Sequence, residues 1–237
     1  MRRYIYFVFL LCCAVNLLLT SCVRQKYVVM DMVHHNPGEA MTESKFLDHS
    51  FLKKNEYGAK VFFLFEAAQF GIDWKSFDPS LFPDTTEAGR WVAEKAEIIH
   101  KKYDAAKKED LQVYCMLDML VLPSLLVEKH RTELTNEQGK LDISKPYTQL
   151  CIRELMKEMF ETFPQLDGLV IRTGETYLHD APYYVGNHPV QNGMYDHITL
   201  INLLREEVCE RRNKKLFYRT WDMGQLHSIP KYYLSVT

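Results

Sequence analysis

The sequence predicts an α/β fold of parallel strands, the N-terminal part of a (βα) barrel with about five strands and four helices. Three observations carry this prediction. Short apolar runs alternate with longer stretches of helical period, as in parallel strands joined by right-handed helical crossovers. A cluster of polar, chemistry-bearing residues follows each apolar run, as at the catalytic edge of a barrel. No Gly-rich phosphate turn follows the first run: Asn36-Pro37-Gly38-Glu39 stands where a dinucleotide-binding sheet would carry its glycine fingerprint.

The chain opens on a leader. Arg2 and Arg3 precede an apolar run over residues 4–18, and Leu19-Thr20-Ser21-Cys22 closes it with small residues before a cysteine. This ending resembles the lipobox of bacterial lipoproteins, which implies cleavage before Cys22, lipidation of its thiol and anchorage in the bacterial cell envelope. An ordinary signal peptide or an uncleaved anchor is the alternative. The expected organisation is therefore a leader over residues 1–22 and a partial barrel over residues 23–237. No later run reaches the roughly 20 apolar residues that a helical membrane span needs.

Residues 27–33 form the first expected strand, which ends in His34, His35 and Glu39. Thr42-Glu43-Ser44 can cap a helix carrying Phe46, Leu47, Phe51 and Leu52, with Gly58 after its end. Residues 59–65 make a second strand running into Glu66 and Gln69. The longest helix is expected over residues 86–107, with Ala88, Trp91, Val92, Ala96 and Ile99 on one face. A third strand over residues 111–119 carries Asp118 near its end. Residues 123–130 read as a short helix or a loop, and residues 132–145 as irregular. A helix over residues 146–163 turns Leu150, Ile152, Leu155, Met156 and Met159 inward.

The turn pair Asp167-Gly168 is expected to open the fourth strand, Leu169-Val170-Ile171, which delivers Arg172, Thr173, Glu175 and Tyr177. A helix over residues 197–212 follows a loop. Residues 216–219 make a fifth strand ending in Arg219, Trp221 and Asp222. The length accommodates about five βα units, so the expectation is part of a longer barrel, with a complete small open sheet as the alternative.

Composition narrows the function classes. Of 237 residues, 47% are hydrophobic and 25% charged, with a formal net charge of -2. That is globular material with no basic excess for a nucleic-acid partner. Beyond the leader, Cys115, Cys151 and Cys209 allow at most one disulfide and show no metal-ligand spacing. The adjacent His34 and His35 point to opposite sides of a strand, whereas a metal-dependent barrel needs two histidines at i and i+2. Neither metal nor cofactor is expected.

Glu175 is the catalytic candidate, placed just beyond a buried strand beside Arg172. His34, His35, Glu66, Asp118, Arg172, Tyr177, Arg219, Trp221 and Asp222 are the candidates for lining the substrate site. The arginines suit either a ligand carboxylate, held bidentately, or a buried acid. Tyr177 and Trp221 suit stacking against a sugar ring, or packing.

The stretch from Asp167 to Glu175, together with Phe217-Tyr218-Arg219-Thr220-Trp221, resembles the clan A glycoside hydrolases and is most similar to their family 67 α-glucuronidase type. Gly174-Glu175 replaces the Asn-Glu pair usual in the clan. The resemblance implies a (βα) barrel acting on poly- or oligosaccharides, with Glu175 as general acid and a second carboxylate from a later strand. A carbohydrate-binding lipoprotein without catalysis, or an inactive barrel fragment, is the rival reading. A metal-dependent hydrolase barrel is the third.

Overall fold

A computed structural model describes residues 29–31, 45–63, 66–173, 176–178, 180–190 and 193–219. The strands among them are β1 (Met30–Asp31), β2 (Ala59–Phe62), β3 (Gln112–Asp118), β4 (Val121–Pro123), β5 (Leu166–Arg172), β6 (Tyr184–Gly186) and β7 (Lys215–Arg219). The helices are α1 (His49–Lys54), α2 (Glu87–Lys108), α3 (Ser124–Lys129), α4 (Arg131–Leu134), α5 (Pro146–Thr162) and α6 (Met194–Leu204), which runs into a π-helical turn over Arg205–Glu210.

Five strands form one parallel sheet in the order β1-β2-β3-β5-β7. Neighbours in the sheet follow chain order, so the strand order never reverses as it does in a doubly wound sheet. The sheet is the curled wall of a partial (βα) barrel, as the sequence predicts.

Alternation along the strands sorts side chains onto two faces. Phe62, Val113, Cys115, Leu117, Leu169 and Ile171 face the helices in the larger core, where they meet Val92, Ile99, Tyr103 and Ala106 of α2 and Ile152, Leu155, Met156 and Met159 of α5. The opposite face carries Ala59, Val61, Phe63, Tyr114, Met116 and Val170, a second and smaller buried cluster. Strands buried on both faces explain why their sequences read as near-continuous apolar runs.

The helix boundaries have local causes. The Thr86 side chain caps α2 by accepting a hydrogen bond from the Gly89 N–H (3.0 Å), a contact worth about 1 kcal/mol. Asp48 caps α1 by accepting from Ser50 (2.9 Å). That helix starts later than the cap expected at residues 42–44, which lie outside the described residues. Pro146 occupies the first turn of α5, where its missing N–H costs nothing.

Four expectations need correction. Leu150 is 41% exposed, whereas Cys151 beside it is fully buried, so Cys151 takes the place expected for Leu150 in the buried stripe of α5, whose other expected members are buried. Asp167-Gly168 is no turn; both residues lie inside β5. The register slips between Val113 and Tyr114, which pair with Leu166 and Gly168, so Asp167 is the extra residue of a bulge. Its carboxylate accepts from the Val113 N–H (2.7 Å) and pairs with Lys107. Gly168 is required here, because a Cβ would stand 2.0 Å from the Lys215 carbonyl oxygen of β7. Part of the segment expected to be irregular is helical, as α4. Finally, β4 and β6 form an antiparallel ribbon that short sequence runs do not announce. Cys115, Cys151 and Cys209 are all free thiols.

Candidate active site

The C-terminal edge of the sheet brings three predicted site residues into one row. Asp118 ends β3, Arg172 ends β5 and Arg219 ends β7. They are register partners, Asp118 with Arg172 and Arg172 with Arg219. All three lie on the face away from the helices, since Val170 and Met116, two residues earlier on their strands, belong to the smaller cluster.

Asp118 and Arg172 form a buried bidentate pair, with Nε to Oδ1 at 2.5 Å and Nη2 to Oδ2 at 2.7 Å. Oδ2 also accepts the backbone N–H of Tyr177 (2.8 Å). The Arg172 guanidinium lies between two rings, 4.6 Å from the centroid of Phe63 and 4.6 Å from that of Tyr177. Buried charge is tolerated here because the planar guanidinium is matched by a carboxylate in its plane and by ring faces above and below. The result is a clasp. It ties residue 177 back to the ends of β3 and β5, closing the loop that begins at Arg172, and leaves the Tyr177 ring 36% exposed. Glu175 lies within that loop in sequence, outside the described residues.

Arg219 is half-buried and donates to the Met116 sulfur (3.8 Å). Phe217, two residues earlier on the same face, is 38% exposed and meets Tyr114 edge-on at 5.3 Å. Tyr177, Phe217 and Arg219 are thus the partly exposed groups at this end of the sheet's helix-free face. Glu66 is placed elsewhere. Its side chain pairs with Lys102 of α2 and its carbonyl accepts from the Tyr103 hydroxyl (2.9 Å), so it belongs to the helix layer and not to the row. His34, His35, Trp221, Asp222 and Cys22 lie outside the described residues.

Sequence reasoning did not single out Phe63, although the alternation of β2 puts it on the same face as Val61 and hence on the Arg172 side. It also passed over a second polar cluster beneath α6. His197 is buried, and its Nδ1 lies 2.8 Å from the Tyr218 hydroxyl of β7. Burial, reinforced by His188, pushes the imidazole pKa down to about 4. Two buried hydroxyls beside the clasp, Thr173 Oγ1 and Thr176 Oγ1, have no hydrogen-bond partner among the described residues.

Other chemistries find little support among the described residues. Burial pushes the thiols of Cys115 and Cys151 up to about 12, so neither is a thiolate nucleophile at neutral pH. Among the described residues, no group of three or more His, Cys, Asp or Glu stands close enough to hold a metal ion, and no helix among them is long and apolar enough to cross a membrane.

Among solved structures, the chain is similar to a noncanonic maltogenic alpha-amylase from Thermotoga neapolitana, at 13% identity and a TM-score of 0.46, covering 81% of this chain and 45% of that one. It is also similar to a GH138 enzyme targeting pectin rhamnogalacturonan II, at 14% identity and a TM-score of 0.45, covering 88% of this chain and 25% of that one. Both are glycoside hydrolases, and the chain spans less than half the length of either. At these scores the likeness assigns neither a substrate nor a catalytic residue. No family model matches the sequence, and no curated protein matches it.

Proposed function

We propose that this chain acts on carbohydrate as a glycoside-hydrolase-like barrel protein, held in the bacterial cell envelope through a lipid on Cys22. The supporting observation is the strand-end row, in which Asp118, Arg172 and Arg219 stand side by side at the C-terminal edge of parallel strands, with the Tyr177 ring over the row. That edge is where (βα) barrels build their sites.

In this reading Glu175 is the general acid that protonates the leaving oxygen. Asp118 and Arg172 are positioning groups: their charges satisfy each other, and the clasp holds Tyr177 two residues beyond Glu175. Tyr177 and Trp221 offer ring faces to a sugar, Arg219 and the histidines at 34 and 35 line the site, and Asp222 is the second carboxylate closest in sequence to the row. A retaining reaction needs the two carboxyls roughly 5–5.5 Å apart and an inverting one roughly 6.5–9.5 Å.

One observation favours a second reading, saccharide binding without hydrolysis. Asp118 is bound on both oxygens by Arg172 and Tyr177, so it is not free to serve as a catalytic carboxylate. The test is hydrolysis of an aryl-glycoside and oligosaccharide panel by the wild type and by Glu175→Gln. The hydrolytic reading expects turnover that falls by about 100-fold or more in the variant while the melt is unchanged. Saccharide binding with no turnover establishes the second reading, and turnover unaffected by the substitution removes Glu175 from the mechanism.

A further inference from the structure

A cleft of about 320 Å³, lined by none of the residues of the strand-end row, lies between the segment leading into α2, the helix α3 and the residues just before β6. Its volume is at the lower end of the range for small-molecule sites, roughly 300–1,000 Å³. One wall is the ring of Tyr183, fixed edge-on against Trp91 at 5.8 Å. Pro83, Pro182 and Leu125, the last 39% exposed, are part of the apolar lining, with Leu81, Phe82 and Ala88.

The polar groups divide sharply into committed and uncommitted. The Thr86 hydroxyl donates to the Pro83 carbonyl (2.7 Å) and accepts from Gly89 (3.0 Å). The Ser80 hydroxyl donates to Asp78 (2.6 Å) and accepts from Lys129. Glu128 and the Ser124 hydroxyl have no protein partner among the described residues. Standing at i and i+4, they share one face of α3, and both line the cleft.

We propose that this cleft is a second saccharide-binding site, taking a neutral sugar unit. An acceptor-only carboxylate and a hydroxyl beside a rigid ring call for a ligand with several O–H donors on one side and an apolar C–H face on the other. Among the described residues no Lys or Arg belongs to the cleft lining, and Lys129, bonded to Ser80 at its edge, is paired with Asp78, so the cleft offers little to an anionic ligand. The choice of ligand class rests on the carbohydrate reading above, whereas the place and polarity of the site do not.

The test is saturation-transfer NMR and Trp fluorescence on the full chain with maltose, cellobiose and lactose, read on the wild type, Glu128→Gln, Tyr183→Ala and Glu175→Gln. Trp91 beside Tyr183 supplies the fluorescent reporter. Expected is millimolar binding of at least one disaccharide, weakened about tenfold by Glu128→Gln and by Tyr183→Ala, and retained in Glu175→Gln. Glu128 is exposed, so its variant keeps the fold if Tyr183→Ala does not. Binding indifferent to Glu128→Gln, no binding of any of the three sugars, or binding of benzylamine in their place overturns the proposal. Hydrolysis is scored separately: a chain that binds at the cleft but turns nothing over defeats the catalytic reading alone, and the converse defeats the cleft alone.

Discussion

Two buried ion pairs cross-link neighbouring strands of the sheet, and they sit at opposite ends and on opposite faces. Lys60 of β2 meets Asp31 of β1 on the helix-covered face, near the N-terminal edge, and also donates to the Phe46 carbonyl (3.4 Å). Arg172 of β5 meets Asp118 of β3 on the other face, at the C-terminal edge. The first pair joins strands to the helical layer. The second joins strands to a loop, because Asp118 also holds the Tyr177 N–H and Arg172 is stacked under the Tyr177 ring. One is a structural tie; the other sets the shape of the edge where barrel chemistry takes place.

The choice of cation matches this division. A lysine that loses its partner can shed its proton, whereas a guanidinium cannot. Removing Asp118 therefore leaves an obligate buried charge, and Asp118→Ala is expected to cost about 5 kcal/mol in urea denaturation. Asp31→Ala is expected to cost about 3 kcal/mol. Equal losses would show that the two pairs are energetically equivalent and break the contrast.

A pH titration of stability separates both pairs from a third buried group. The neutral form of His197 is favoured in the fold, with a pKa of about 4 against 6.5 for the free side chain. Between those values the unfolded chain binds a proton that the folded chain refuses. Stability is thus full above pH 6.5, falls as the pH drops through the window, and is lower by about 3 kcal/mol below pH 4. In His197→Gln this slope between pH 6.5 and 4 should vanish; a slope that persists assigns the effect to another group.

A smaller effect tests the loop half of the clasp. Tyr177→Ala keeps the backbone N–H on Asp118 but removes one ring from Arg172. The expected cost is about 1 kcal/mol, with faster hydrogen exchange over residues 173–178. The Asp31–Lys60 side should show no change in exchange.

The features legible in the sequence were those with local causes. Near-continuous apolar runs announced β3 within a residue and the middle of β5, the apolar stripe announced α2 within a residue, and strand-end polarity flagged Asp118, Arg172 and Arg219. The missing features depend on residues distant in sequence. That Asp118 and Arg172 satisfy each other follows from a register set 54 residues apart. The bulge at Asp167 arises from the pairing of β3 with β5, and the need for glycine at 168 from the backbone of β7. Phe63 becomes a partner of Arg172 only once the sheet curls. Leu150 was misplaced because two adjacent apolar residues leave the helix face ambiguous by 100° until the core is known.

The most direct test compares two double variants, Asp118→Leu with Arg172→Met and Asp31→Leu with Lys60→Met. Each replaces a buried pair by apolar groups, an exchange that is often neutral or stabilising. Turnover and binding on the saccharide panel are then measured where both variants are folded. The predicted result is a loss of about 100-fold for the strand-end variant, from misplacement of the loop, and a change within about twofold for the other. Equal effects from the two variants, or full activity without the Asp118–Arg172 clasp, would contradict the assignment of function to the C-terminal edge.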